Sequence, residues 1–161
     1  MNKEQIHAKV LEMGFEWLNS PKFFDPATTL FITPCTAQKS LLKKGTPAQI
    51  YTSPRIQKFY SSMRGLQHAT LSDLYGLVFP DNVIENYDVP PSELSKCPEK
   101  LSQLIDLIAK QVPPHISTLV FCYASPLRSV AYFRLLESLP IKKYYTTKLS
   151  YIGNINNKPL F

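Results

Sequence analysis

The chain has no apolar run that approaches the ~20 residues needed to cross a bilayer. Its first residues, Met1-Asn2-Lys3-Glu4-Gln5, carry charges of both signs and no apolar stretch, so a secretory leader is not expected. Cysteine is scarce. Cys35, Cys97 and Cys122 are odd in number and lack metal-ligand spacing, which favours a reducing cytoplasm over a disulfide framework or a zinc site. His7, His68 and His115 show no pairing pattern, so neither a metal site nor a His-based triad is expected, and no cofactor is implied. There is no internal repeat and no low-complexity tract.

What is present fits a globular protein. Apolar residues make up 44% and charged residues 19% of the 161, outside the range of disordered chains. That length predicts one domain spanning 1–161, large enough for a single core. The net charge of +6 raises the odds of an anionic partner, nucleic acid above all. The lysines are scattered, however, with small clusters at Lys39/Lys43/Lys44 and Lys142/Lys143/Lys148, so a plain basic surface stays open as a reading.

Residues 3 to 18 read as an amphipathic helix, with Ile6, Val10, Leu11, Met13, Phe15 and Leu18 mainly on one side. Prolines at 21 and 26 prevent its continuation. Thr28 to Thr33 is β-branched and aromatic, a buried strand ending at Pro34. A polar loop follows to about Gln49. Ser53-Pro54 starts a helix, Ser as N-cap and Pro as first helical residue, and Gly65 stops it. His68 to Ser72 is a second strand, and 81 to 95 is irregular. Leu101, Leu104, Ile105 and Ile108 mark a helix that Pro113-Pro114 ends. Ser117 to Tyr123 is the third strand. Ser125-Pro126 opens another helix running to about Leu139. Lys142 to Leu149 is the fourth strand, edge-like because of its lysines. Strands alternate with helices, so the expectation is an α/β fold with a mostly parallel four-stranded sheet and helices on both faces.

In such a sheet, ligands bind at the carboxyl ends of strands. Loops there carry Cys35, Lys39, Ser72, Asp73, Tyr87 and Asp88, which could converge on one crevice. Beside Lys39, the Cys35 thiol is expected to ionise more easily, and its thiolate could attack a nitrile or carbonyl carbon. Equally, Cys35 could be a small packing residue at a strand end. Asp73 and Asp88 could hold an amine or ribose hydroxyl or act as general base, or simply make turns. Gly76 allows a turn or the close approach of a ligand. The helix starts at Ser53-Pro54-Arg55 and Ser125-Pro126-Leu127-Arg128 could bind phosphate or carboxylate, or be ordinary caps.

Pro34-Cys35-x-x-x-Lys39, Ser72-x-x-Tyr75-Gly76-Leu77-Val78-x-Pro80 and Tyr87-Asp88-Val89-Pro90 together resemble the catalytic core of archaeosine synthase. That core descends from archaeal tRNA-guanine transglycosylase-like proteins. The stretch Thr46 to Pro54 also resembles small uncharacterised bacterial and phage proteins sharing the Pro-Cys-x-x-x-Lys start. The likeness covers roughly residues 28 to 95, and the remainder only in element order.

The resemblance implies a three-layer α/β/α sandwich similar to the uracil-DNA glycosylase fold. It also implies a cytoplasmic transferase acting on a 7-deazaguanine-type base in tRNA, where an amine is added to a nitrile. Cys35, Lys39 and Asp88 would be catalytic. Tyr51, Ser53, Ser72, Asp73, Gly76 and Tyr87 would bind substrate, and Ser125 with Arg128 would take a phosphate. The chain departs from the family pattern at Ser40-Leu41 after Lys39, in the loop before Tyr51 and Ser53, in the missing histidine beyond them, and in having no room for a PUA domain. It would therefore act alone or as one subunit beside a separate RNA-binding, PUA-type protein. A nucleoside or base hydrolase of glycosylase type and a non-catalytic nucleic-acid-binding module are the alternatives.

Overall fold

A computed structural model describes residues 1–88, 97–123, 127 and 129–153. Its centre is a six-stranded, mostly parallel sheet in the order β1-β8-β7-β2-β4-β5. The strands are β1 (Phe15–Trp17), β2 (Thr29–Pro34), β4 (His68–Ser72), β5 (Gly76–Val78), β7 (Thr118–Cys122) and β8 (Lys142–Thr146). Only the β4–β5 pair is antiparallel. A second, two-stranded sheet joins β3 (Lys44–Gly45) to β6 (Ile84–Glu85). The helices are α1 (Lys3–Glu12), α2 (Pro47–Ile50), α3 (Pro54–Ser62), α4 (Pro98–Gln111) and α5 (Ala131–Leu136). None of the described helices is long and apolar enough to cross a membrane.

The middle of the sheet follows from composition. All six residues of β2 are buried, as are four of the five in β7, which is what a strand covered on both faces requires. Side chains alternate between faces with period two. Leu30 and Ile32 of β2 and Leu119 and Phe121 of β7 join Ile6 and Val10 of α1, Leu104 and Ile108 of α4, and Phe133 of α5. Phe31 and Val120 point into a separate cluster with Phe59 and Met63 of α3. Asn2 and Gln5 form a capping box at the start of α1.

Six strands replace the four expected, and three differences have physical causes. The first helix ends at Glu12, not residue 18. Gly14 adopts φ 94, a left-handed turn that glycine takes without strain, and the chain re-emerges as β1. The strand at 142–146 is not an edge, because β1 and β7 pair on its two sides. Its lysines are accommodated: Lys142 meets Glu16, and the buried Lys143 donates from Nζ to the carbonyls of Leu139 at 2.8 Å and Ile141 at 3.3 Å. Finally, Gly76–Val78, expected as loop, turns back along β4 as the antiparallel edge strand.

The crossovers place the site. The chain leaves β2 for β4 on one side and β7 for β8 on the other, although β2 and β7 are neighbours. Their carboxyl ends therefore flank a point where the strand order reverses, the position at which open α/β sheets form a ligand crevice.

Candidate functional site

Cys35 is the first residue after β2. Its backbone N–H donates to Leu71 O at 2.9 Å, extending the β2–β4 ladder by one step and fixing where the thiol projects. β4 ends at Ser72, and Asp73 follows in the short turn to β5. The Cys35 Sγ lies 3.7 Å from Asp73 Oδ1, to which it donates, and 3.4 Å from the Tyr132 hydroxyl. A thiol has one proton. With that proton directed at Asp73, the Tyr132 hydroxyl is the donor to sulfur. Tyr132 comes from the first turn of α5, so three separate elements meet at one sulfur atom.

A phenolic network adjoins this group. Ser72 Oγ accepts from the backbone N–H of Leu74 at 3.1 Å and of Tyr75 at 3.0 Å, using both of its lone pairs. Its own proton is then donated to the Tyr87 hydroxyl 2.8 Å away, and Tyr87 meets the Tyr51 hydroxyl at 2.5 Å. The Lys39 ammonium sits 4.7 Å from the centre of the Tyr87 ring and 6.0 Å from that of Tyr51, a cation held over aromatic faces. The loop bearing Lys39 is tied down by an isolated bridge to Tyr51 and by Asn86, whose Nδ2 donates to the carbonyls of Ser40 at 2.9 Å and Leu42 at 2.8 Å.

Electrostatics follow from burial. Desolvation pushes the Cys35 thiol above its usual value of 9.0, and the Asp73 carboxylate adds to that rise. The expected activation of the thiol by Lys39 is thus not found; the buried, acid-paired sulfur stays protonated. Desolvation also raises Asp73 above the ordinary 3.8, opposed in part by hydrogen bonds and by the Lys39 charge. Lys39 therefore serves the acid rather than the thiol. Burial raises Tyr51, Tyr87 and Tyr132 as well, keeping all three phenols neutral hydrogen-bonding groups.

Of the residues singled out from sequence, Cys35, Lys39, Tyr51, Ser72, Asp73 and Tyr87 come together. Ser53 does not join them; its side chain accepts from Ile56 N at 3.3 Å and caps α3. Gly76 approaches no ligand space. It has φ 71, and an added Cβ would lie 2.6 Å from Gln111 Oε1, so it serves the turn and the helix packed on it. Asp88 is exposed, and Asp73 takes the position beside the thiol. Ser125 and Arg128 lie outside the described residues. Sequence reasoning missed Tyr132. The available signal was a phenol one turn into a helix following a central strand, where polar tips reach the carboxyl edge of the sheet.

Among the described residues, no group of three His, Cys, Asp or Glu side chains could hold a metal ion. The arrangement offers instead a protonated thiol, a carboxyl group in contact with it, and neutral phenols with an ammonium alongside. This set can add sulfur to an electrophilic carbon while moving the thiol proton to a neighbouring acceptor. No protein-family model matches this chain, and no curated protein or solved structure matches it either.

Proposed function

We propose that this protein is a transferase of the archaeosine-synthase type, acting on a nitrile-bearing 7-deazaguanine base in tRNA. The observation that carries the reading is the contact of Cys35 with both Asp73 and Tyr132 at the carboxyl edge of the sheet. The Pro-Cys-x-x-x-Lys resemblance supplies the substrate class, and the net charge of +6 suits a polyanionic one. The two side-chain clusters on alternate faces of β2 and β7 support the finer description of the fold, a three-layer sandwich similar to uracil-DNA glycosylase.

In this reading the Cys35 thiol adds across the carbon–nitrogen triple bond. Sulfur bonds to carbon, and the thiol proton passes through Asp73 to the nitrile nitrogen, leaving a thioimidate. A primary amine, the co-substrate, then adds to the same carbon. The carbon–sulfur bond breaks, and the amine's lost proton returns through Asp73 to sulfur, giving an amidine and free Cys35. The raised pKa of Asp73 makes it a better proton acceptor than an ordinary carboxylate, which suits a group that must both take and return a proton. Asp73, rather than Asp88, fills the acid–base role. Tyr132 stabilises the developing thiolate, and Lys39, Tyr51, Ser72 and Tyr87 form the wall against which the base lies.

The test is mass spectrometry of tRNA nucleosides from cells lacking the protein, beside the parent strain. Loss of a 7-deazaguanine derivative with build-up of its nitrile precursor is the expected result. An unchanged profile would overturn this reading and favour a base hydrolase in which Asp73 activates water.

A further inference from the structure

On the other side of β2 lies a second polar site that the thiol chemistry does not use. A cavity of about 60 Å³ opens between the carboxyl ends of β2, β7 and β8, lined among others by Thr33, Arg55, Tyr123, Thr146, Thr147 and Lys148. Arg55 enters it from the first turn of α3. Its guanidinium donates to Thr33 Oγ1 at 2.8 Å and to the Pro34 carbonyl at 2.9 Å. These bonds hold the fork in place but occupy two of its five N–H donors. Among the described residues no carboxylate lines the cavity, and Arg55 has no acidic partner. A half-buried guanidinium with no counter-charge among the described residues is notable, because burying a charge costs energy unless it is paired. Lys148, exposed on the cavity wall, brings a second cation; its ammonium lies 5.4 Å from the Tyr151 ring centre and has no carboxylate partner among the described residues. Thr147 adds a side-chain hydroxyl. The hydroxyls of Thr33 and Thr146 are committed to the carbonyls of Cys122 and Lys148.

We propose that this cavity binds a phosphate group, held by the free edge of the Arg55 guanidinium and by Lys148 and Thr147. Two cations, with no acid among the described lining residues, favour a doubly charged phosphate over a singly charged carboxylate, and a rigid guanidinium fork is suited to paired phosphate oxygens. The site lies at the strand-order reversal and adjoins the Cys35 side through Pro34, so a nucleotide's phosphate could occupy it while the base reaches the thiol. Free inorganic phosphate presents the same chemistry. The proposal does not depend on any role for Cys35.

Isothermal titration calorimetry on the full chain decides it, with inorganic phosphate, GMP and guanosine as probes at constant ionic strength. Wild-type protein should bind both phosphate and GMP, and bind guanosine more weakly than GMP. R55Q should weaken phosphate binding about tenfold or more, the usual effect of losing a charge-assisted hydrogen bond. GMP binding tighter than phosphate identifies a nucleotide as the source, whereas equal affinities identify free phosphate; either supports the site. If circular dichroism shows R55Q unfolded, K148Q and T147V carry the test, each weakening binding severalfold. Absence of binding by phosphate and GMP up to about 10 mM, or equal affinity in the folded variants, overturns the proposal. A failed turnover assay leaves it standing, and absence of phosphate binding leaves the thiol chemistry standing.

Discussion

Two polar regions lie on either side of the last residues of β2, built on opposite principles. On the Asp73 side, polar groups answer one another: thiol to carboxyl, phenol to thiol, serine to phenol. On the Arg55 side, a guanidinium is anchored by a hydroxyl and a carbonyl and faces a cavity whose described lining holds no acid. The first is a closed network with protons to move. The second holds a positive charge on neutral anchors. Two of the cysteines make the same point on a smaller scale. Cys122 ends β7 and is buried at the wall of the Arg55 cavity, and burial pushes its thiol far up. Among the described residues its thiol donates to a carbonyl of its own strand, at 4.0 Å. Cys35 is also raised by burial, but it has an acid and a phenol in contact. What separates the two thiols is the company of proton-bearing groups, not acidity at rest.

The comparison can be broken most sharply at Cys35. C35A should abolish turnover, a loss of roughly 10⁴-fold or more for removal of a nucleophile, read from the nitrile-to-amidine ratio in tRNA of complemented cells. Retained turnover would reduce Cys35 to the status of Cys122. The next effect is on stability. Phe133 is fully buried, with rings of Phe15, Phe121, Tyr123 and Tyr145 around it at 4.9 to 5.6 Å between centroids. F133A should cost about 3–5 kcal/mol in urea unfolding.

D73N sharpens the contrast through pH. The folded-state pKa of Asp73 lies above its ordinary 3.8, so around that value the folded protein holds more protons than the unfolded chain. Stability therefore falls as pH rises from about 3.8 through the folded pKa, and stays lowered above it. D73N should remove that decline and raise the neutral-pH Tm, measured by calorimetry across the acid range. An unchanged profile would show that the carboxyl is not penalised by its burial. Smallest is the effect of Y132F. Its phenol eases ionisation of the thiol. Removing it should move the iodoacetamide alkylation midpoint further above 9.0, whereas D73N should move it down by removing a neighbouring negative charge. The same direction in both variants would refute the geometry at the sulfur.

Much of the sheet was legible because its central strands have unmistakable composition: Thr-Leu-Phe-Ile-Thr and Thr-Leu-Val-Phe-Cys suit only strands buried on both faces. β1 was hidden. Met13, Phe15 and Leu18 continue a helical apolar stripe, and only the backbone of Gly14 reveals the break. β8 was misplaced at an edge because a lysine count does not show that Lys143 satisfies its ammonium on nearby carbonyls. At the site, Cys35 and Asp73 were visible as residues ending strands in loops, where chemistry gathers. Their contact was not visible, since it depends on the β2–β4 register. Tyr132 was further off, since a phenol among helix residues looks like core until the sheet is laid beneath it. The sign of the thiol shift was misread for the same reason. Sequence places Lys39 four residues from Cys35, but folding turns its ammonium over the Tyr87 ring.

The turn carrying Asp73 is pinned from behind by a residue far away in the chain. Gln111 accepts from the Leu77 backbone N–H at 2.7 Å and donates to the Tyr75 carbonyl at 3.1 Å, filling the space that Gly76 leaves open. Those two positions form one heritable unit. A descendant that gains any side chain at 76 must shorten the one at 111, and a descendant that loses the amide at 111 leaves two backbone groups unanswered. Co-substitution of this pair across related chains would trace the lineage of the turn independently of what the thiol does.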